Sequence, residues 1–277
     1  PLGVSGILTA VSRDLAKWVV ALMRTPEEYA VFSYGAMELP FINTLAGVLG
    51  TVVIVDMVRY AKENRLPQAL RLFRRTASLT SYAIFPVMAF FLVAAEPFYR
   101  LLYPQSLLGA VPVFRVYLLI LPARVVQYNQ LLIAMGKSRG VMARSLISLT
   151  ADILLSVVFV RLFGPIGASF ASVLALYIVT LPINLFLISR TAGVSWKQTL
   201  PFGHILKCLL TTLPPTAAGV AVLLLASGLG PLWQLLAVAG VFGIGILPLY
   251  RFVFPEDYLY FTGKALAFLR KKRYHNL

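Results

Sequence analysis

The feature that most constrains this 277-residue sequence is a succession of long, nearly uncharged apolar runs separated by short basic loops. Eight runs can be drawn, over about residues 2–23, 27–58, 76–95, 108–135, 145–160, 166–188, 205–227 and 232–252. Each is near or above the roughly 20 apolar residues that carry a helix across hydrocarbon. The runs are continuous rather than alternating and too long for barrel strands, which argues against a β-barrel. Charged residues make up 13% of the chain, against about 25% in a soluble domain. So few charges cannot cover a globule of this size in water. The expected fold class is an all-α integral membrane protein with about eight transmembrane helices, and its first partner is the lipid bilayer.

Several runs contain proline: Pro40, Pro86, Pro122, Pro182 and the pair Pro214–Pro215. Membrane helices tolerate this because neighbours re-satisfy the freed carbonyls. Such residues act as packing kinks or as hinges. The run over 27–58 is too long for one straight span, and Pro40 lies inside it.

The loops predict an orientation. Eighteen cations fall in alternate connections: six between Arg59 and Arg75, then Lys137, Arg139 and Arg144, then Arg190, Lys197 and Lys207, and six more in the tail from Arg251 to Arg273. The intervening connections hold Arg24, Arg100 and Arg161. Positive loops stay in the cytoplasm, so both ends of this chain are expected inside, which requires an even number of spans. The excess of 25 Lys and Arg over 10 Asp and Glu is thereby explained without nucleic acid, for which no basic soluble domain is available. Two basic stretches, around Leu66, Leu70 and Phe73 and around Phe261, Leu266 and Phe268, have the amphipathic spacing suited to an anionic headgroup layer.

Four further cations, Arg13, Lys17, Arg115 and Arg124, fall inside apolar runs. Each costs about 2.5–3.5 kcal/mol at a helix centre on insertion scales, and is retained where it faces a polar cavity or a partner. Counting from the intervening turns sets Arg13 and Asp14 level with Glu38, and Arg124 level with Asp152. The acids Asp14, Glu38 and Asp152 are therefore candidates for ion pairs or ion coupling. Lys17 and Arg115 have no acid at their depth. Either the pairs merely pack the bundle, or the four cations line an aqueous cavity and bind an anionic substrate such as a phosphate or a uronic acid. Gln127, Tyr128, Asn129 and Gln130 add polar groups that suit sugar hydroxyls or neighbouring helices.

Other chemistry has little support. His204 and Cys208, four residues apart, make a poor metal site without a third ligand. The single cysteine excludes an intrachain disulfide. No nucleophile elbow or Walker loop is present. An enzyme is not expected, nor a cofactor or resident metal. The glycines at 240, 243 and 245, and at 164 and 167, are expected to allow close helix contact.

Several stretches resemble the C-terminal portion of polysaccharide flippases of the Wzx type, within the multidrug/oligosaccharidyl-lipid/polysaccharide exporter superfamily. They are Ser12-Arg13-Asp14-Leu15-Ala16-Lys17-Trp18, the segment from Thr25 to Ser33, the basic loop before Phe85-Pro86, Ala110 to Arg115, Leu132 to Lys137, and Phe163 to Ser169. The resemblance covers about residues 1–190. It implies the second lobe of a two-lobe transporter over residues 1–191, two additional helices over 192–254 and a basic amphipathic tail over 255–277. It also implies a flippase that moves an undecaprenyl-pyrophosphate glycan across the bacterial inner membrane, with an N-terminal lobe as a partner. The opening at Pro1 rather than Met fits an upstream portion. Ion-coupled multidrug exporters of the same superfamily are the alternative, and cations inside the membrane favour an anionic lipid-linked oligosaccharide over a cationic drug.

Overall fold

The computed structural model describes residues 14–255; nothing is stated of side chains at 40, 41, 43 and 45–52. All regular structure among the described residues is helical. The helices are α1 (14–23), α2 (Pro26–Gly35), α3 (Pro40–Lys62), α4 (Leu66–Leu102), α5 (Ala110–Leu118), α6 (Tyr128–Ala134), α7 (Ser138–Phe163), α8 (Pro165–Leu174), α9 (Leu181–Ala192), α10 (Trp196–Thr199), α11 (Phe202–Thr211), α12 (Leu213–Leu225) and α13 (Pro231–Val253). Short 3-10 turns at Gln105–Leu107 and Leu121–Val125 precede α5 and α6, and a π-turn at Ala175–Thr180 joins α8 to α9.

Five helical stretches are long and apolar enough to cross a membrane: Leu66–Leu102, Ser138–Phe163, Pro165–Ala192, Phe202–Leu225 and Pro231–Val253. The pair α5 and α6, bent by 42°, makes a sixth if taken together. These correspond to the third to eighth expected spans; the expected span over 2–23 and the tail beyond 255 lie largely or wholly outside the described residues. The most apolar window of α7 has a mean hydropathy of 2.1, yet only 11% of it is buried. An apolar surface so exposed needs lipid around it, and the chain is a multi-pass membrane protein.

The run over 27–58 is divided. Thr25 caps α2 by accepting from the Glu28 N–H, and the Glu28 carboxylate accepts from the Thr25 N–H. α2 stops at Gly35, residues 36–39 are irregular, and Pro40 opens α3 at a position where its missing N–H is harmless. The loop expected over 59–75 shrinks to residues 63–65. Its amphipathic stretch is the start of α4, with Leu70 and Phe73 buried.

α4 is the central post, packed against α3, α5, α11, α12 and α13. Its Pro86 lacks an N–H and so cannot bond the Tyr82 carbonyl four residues back. The Tyr250 hydroxyl of α13 donates to that carbonyl at 3.1 Å. Near the other end, the Tyr99 hydroxyl donates to the Tyr34 carbonyl at 2.7 Å and ties α4 to α2. Phe91, Phe98, Tyr99 and Phe114 form a ring cluster between α4 and α5. A smaller core joins α1, α2, α5, α7 and α8 through Val20, Phe32, Val113, Val160 and Ala168. At Gly35 a Cβ would stand 2.5 Å from Val113, so only glycine lets α2 and α5 approach this closely. Gly167 likewise faces the Phe159 carbonyl, whereas Gly240 and Gly243 meet nothing within 4 Å. The expected close contact therefore holds at Gly167, and at Gly245 against Pro215, but not at Gly240 or Gly243, and at Gly164 a Cβ would meet only the end of Glu28 at 3.9 Å.

Candidate functional site

The two cores leave a cavity of about 800 Å³ between α1, α2, the α5–α6 bend, α7 and the α8–α9 span. Three interruptions of regular helix border it. The irregular link after α2 places Met37 and Glu38 on its wall, and the bend before α6 places Arg124 and Gln127 there. The π-turn over 175–180 precedes Pro182, which lacks the N–H to bond the Ile178 carbonyl four residues back. It turns Ala175, Leu176 and Thr180 to the cavity, and the Thr180 hydroxyl donates to Ser148 Oγ of α7 at 2.9 Å. Irregular backbone at membrane depth is tolerated where protein or a wet chamber surrounds it.

Among the described residues, three cations line the cavity: Lys17, Arg124 and Arg144. Two carboxylates, Glu38 and Asp152, face them. Arg124 Nη2 donates to Glu38 Oε1 at 2.6 Å, with both side chains at least two-thirds buried. That corrects the register count, which set Arg124 level with Asp152. The count presumes two straight helices about one turn, and the extended Val126 and non-helical Gln127 between Arg124 and α6 break that register. Asp152 instead accepts from the Ser172 hydroxyl of α8 at 3.3 Å. Arg13, the expected partner of Glu38, lies outside the described residues.

Lys17, expected to lack an acid, is 3.1 Å from Asp14 one turn earlier on α1. Asp14 is exposed and Lys17 half-buried, so the pair is partly solvated and weak. Arg115 is not on the cavity wall; its Nε donates to the Leu92 carbonyl of α4 at 3.1 Å. The four expected cations are thus not gathered in one place.

The sequence groups Arg144 with the basic loop that holds Lys137 and Arg139. The structure starts α7 at Ser138, so Arg144 lies two turns inside a helix. It is 8% exposed, and its Nη2 donates to Ser145 Oγ at 2.9 Å. Its Nε has no hydrogen-bond partner. The spacing of four between Arg144 and Ser148, and again between Ser148 and Asp152, already set these residues on one helical face.

Arg24 donates to the Val160 and Arg161 carbonyls at the end of α7. A cation there offsets the negative end of the helix dipole. The contact fixes the α1–α2 turn beside the α7–α8 turn, as the alternation of basic loops requires. His204 packs against Tyr82 and Phe254 rings, and Cys208 is buried. No group of three metal-ligating side chains occurs among the described residues.

Among the described residues, interrupted helical spans thus surround a polar chamber in an all-α membrane fold. No protein-family model and no curated protein sequence matches the chain. Two solved structures share its fold. The lipid II flippase MurJ in an inward closed conformation is similar over 90% of this chain, at 19% identity and a TM-score of 0.65. A MOP superfamily transporter from Pyrococcus furiosus, described as having a binding pocket of reverse polarity, is similar over 94%, at 17% identity and a TM-score of 0.53. The chain spans about half of the first, 51%, and 63% of the second.

Proposed function

We propose that the chain is the second lobe of a two-lobe flippase that moves a lipid-linked oligosaccharide, an undecaprenyl-pyrophosphate glycan, across the bacterial inner membrane. The observation that carries this reading is the cavity, whose lining cations outnumber its carboxylates among the described residues. Lys17 and Arg124 are assigned to the pyrophosphate, with Arg13 carried forward from the sequence. Arg115 is assigned to holding α5 on α4. Gln127 and Asn129 are assigned to sugar hydroxyls. The fold shared with a lipid II flippase over half its length supports both the two-lobe arrangement and the glycolipid class. A polar chamber accommodates the headgroup while the lipid chain stays in the bilayer, and rocking of two lobes alternates its opening.

The test uses the full-length protein in cells that depend on it for surface glycan. Lys17→Gln and Arg124→Gln should each remove surface glycan while the protein still inserts. Normal export in both would refute the reading. A second reading, an ion-coupled multidrug exporter, draws on Asp152, which has no ion pair among the described residues and accepts from a hydroxyl. In that reading Asp152→Asn abolishes drug resistance and leaves surface glycan unchanged. Glu38 and Asp14 are the other acids to neutralise in the same assay.

A further inference from the structure

Arg144 points to a substrate feature that the pyrophosphate does not supply. It is a guanidinium 8% exposed, on the wall of the cavity, with Nε unbonded. The partner of its Nη2, Ser145 Oγ, is itself committed to the Val141 carbonyl at 2.9 Å. The nearest carboxylate along α7, Asp152, is two turns away, about 12 Å at ~1.5 Å per residue. A buried cation so placed is strongly unfavourable unless an anion or water meets it from the chamber.

Two amides share this wall. Asn184 of α9 is 2% exposed and its Oδ1 has no partner; Asn129 Oδ1 of α6 likewise has none. Three helices thus bring one unopposed guanidinium and two unsatisfied amides to one chamber.

Depth separates this group from Lys17. Arg24 on the Val160 carbonyl sets the ends of α1 and α7 level. Lys17, seven residues before Arg24, is then level with residue 153 of α7. Arg144 lies nine residues below that, about 13 Å at ~1.5 Å per residue. A pyrophosphate carries more than one charge and spans far less than this. A single cation matches a monoanion, and the open guanidinium edge matches the two coplanar oxygens of a carboxylate; the two amide oxygens beside it match the hydroxyl donors of a sugar. Neutral sugars would not need a cation here.

We propose that Arg144 reads the carboxylate of an acidic sugar while Asn129 and Asn184, through Oδ1, accept from its neighbouring hydroxyls, a subsite that selects a glycan carrying a uronic acid. The proposal rests on the flippase reading and names its substrate class.

The test measures transport by the full-length protein in proteoliposomes. Two polyprenyl-pyrophosphate oligosaccharides are compared, one carrying a uronic acid and the other the same sugar with its carboxyl reduced to an alcohol. The wild type should prefer the acidic substrate by about tenfold or more, as loss of a charge-assisted hydrogen bond implies. Arg144→Gln should bring the ratio close to one, and Arg144→Lys, which keeps charge but not the planar fork, should give an intermediate ratio. Equal transport of both substrates by the wild type overturns the subsite and leaves the flippase intact. An unchanged preference in Arg144→Gln overturns the role of Arg144. Transport of neither substrate by the wild type overturns the flippase reading and this proposal with it. The wild-type comparison needs no variant, so poor folding of Arg144→Gln does not remove the test.

Discussion

At the scale of single residues, the ion pair between Arg124 and Glu38 makes a definite prediction. Both partners are largely buried, so removing one deprives the other of its opposite charge. Glu38→Gln should lower thermal stability in detergent, by about 1–3 kcal/mol for a partly buried pair. Adding Arg124→Gln should restore part of the loss, and a double-mutant cycle measures the coupling. Gly35→Ala should destabilise by about 1–3 kcal/mol, because its methyl would overlap Val113 and the Ala110 carbonyl, at 2.5 and 2.8 Å. Loss of stability without loss of insertion, read by unfolding and by membrane fractionation, would confirm that packing alone is affected. The sequence marked Lys17, Arg124, Glu38 and Asp152 as unusual by their depth, and the structure puts all four on one cavity. It could not reveal who pairs with whom. Pairing depends on where helices break, and hydropathy is blind to a break that the surrounding protein satisfies. Arg144 was hidden for a related reason. Its distance from the basic turn was legible, but whether α7 begins before or after it was not.

At the scale of elements, apolar runs located the α8–α9 span, the α11–α12 span and α13 to within about a turn, whereas α4 extends well beyond its run on both sides and α7 begins two turns before its own. The extension was unreadable because a basic amphipathic stretch looks the same whether it lies on the membrane or continues a span. Proline was equally ambiguous in sequence: Pro40 starts a helix, Pro122 accompanies a bend, and Pro86 sits within an unbroken helix. The last case is testable. Tyr250→Phe removes the donor to the Tyr82 carbonyl and should cost about 1–2 kcal/mol. In a Pro86→Ala background residue 86 regains an N–H to bond that carbonyl, so the same Tyr250→Phe change should become nearly neutral. Thermal unfolding of the four proteins in this cycle checks it; equal losses in both backgrounds would mean that the hydroxyl does not serve the proline.

For the whole molecule, the alternation of basic loops predicts which side each turn faces. In a protein whose Cys208 is replaced by alanine, a cysteine at Lys137 should react with a membrane-impermeant maleimide only from the cytoplasmic side, and one at Gly228 only from outside. Both positions are exposed, so labelling reports side rather than burial. The same labels on the wrong sides would overturn the orientation read from the basic loops. The Gly228 hairpin is a well-defined reporter, because Gln234 Nε2 lies 3.1 Å from the Ala226 and Leu229 carbonyls and closes the end of α12.

The Tyr82 carbonyl also bears on which parts of the molecule are dispensable. A chain trimmed after α9 would lose the Tyr250 hydroxyl from the Tyr82 carbonyl, and losing a donor to a backbone oxygen is costly in lipid. The final helices, which look like an appendage in a linear diagram, therefore complete the insulation of the central post. A shortened relative lacking them would have to lose its proline at position 86 as well, or supply another hydroxyl to the same oxygen.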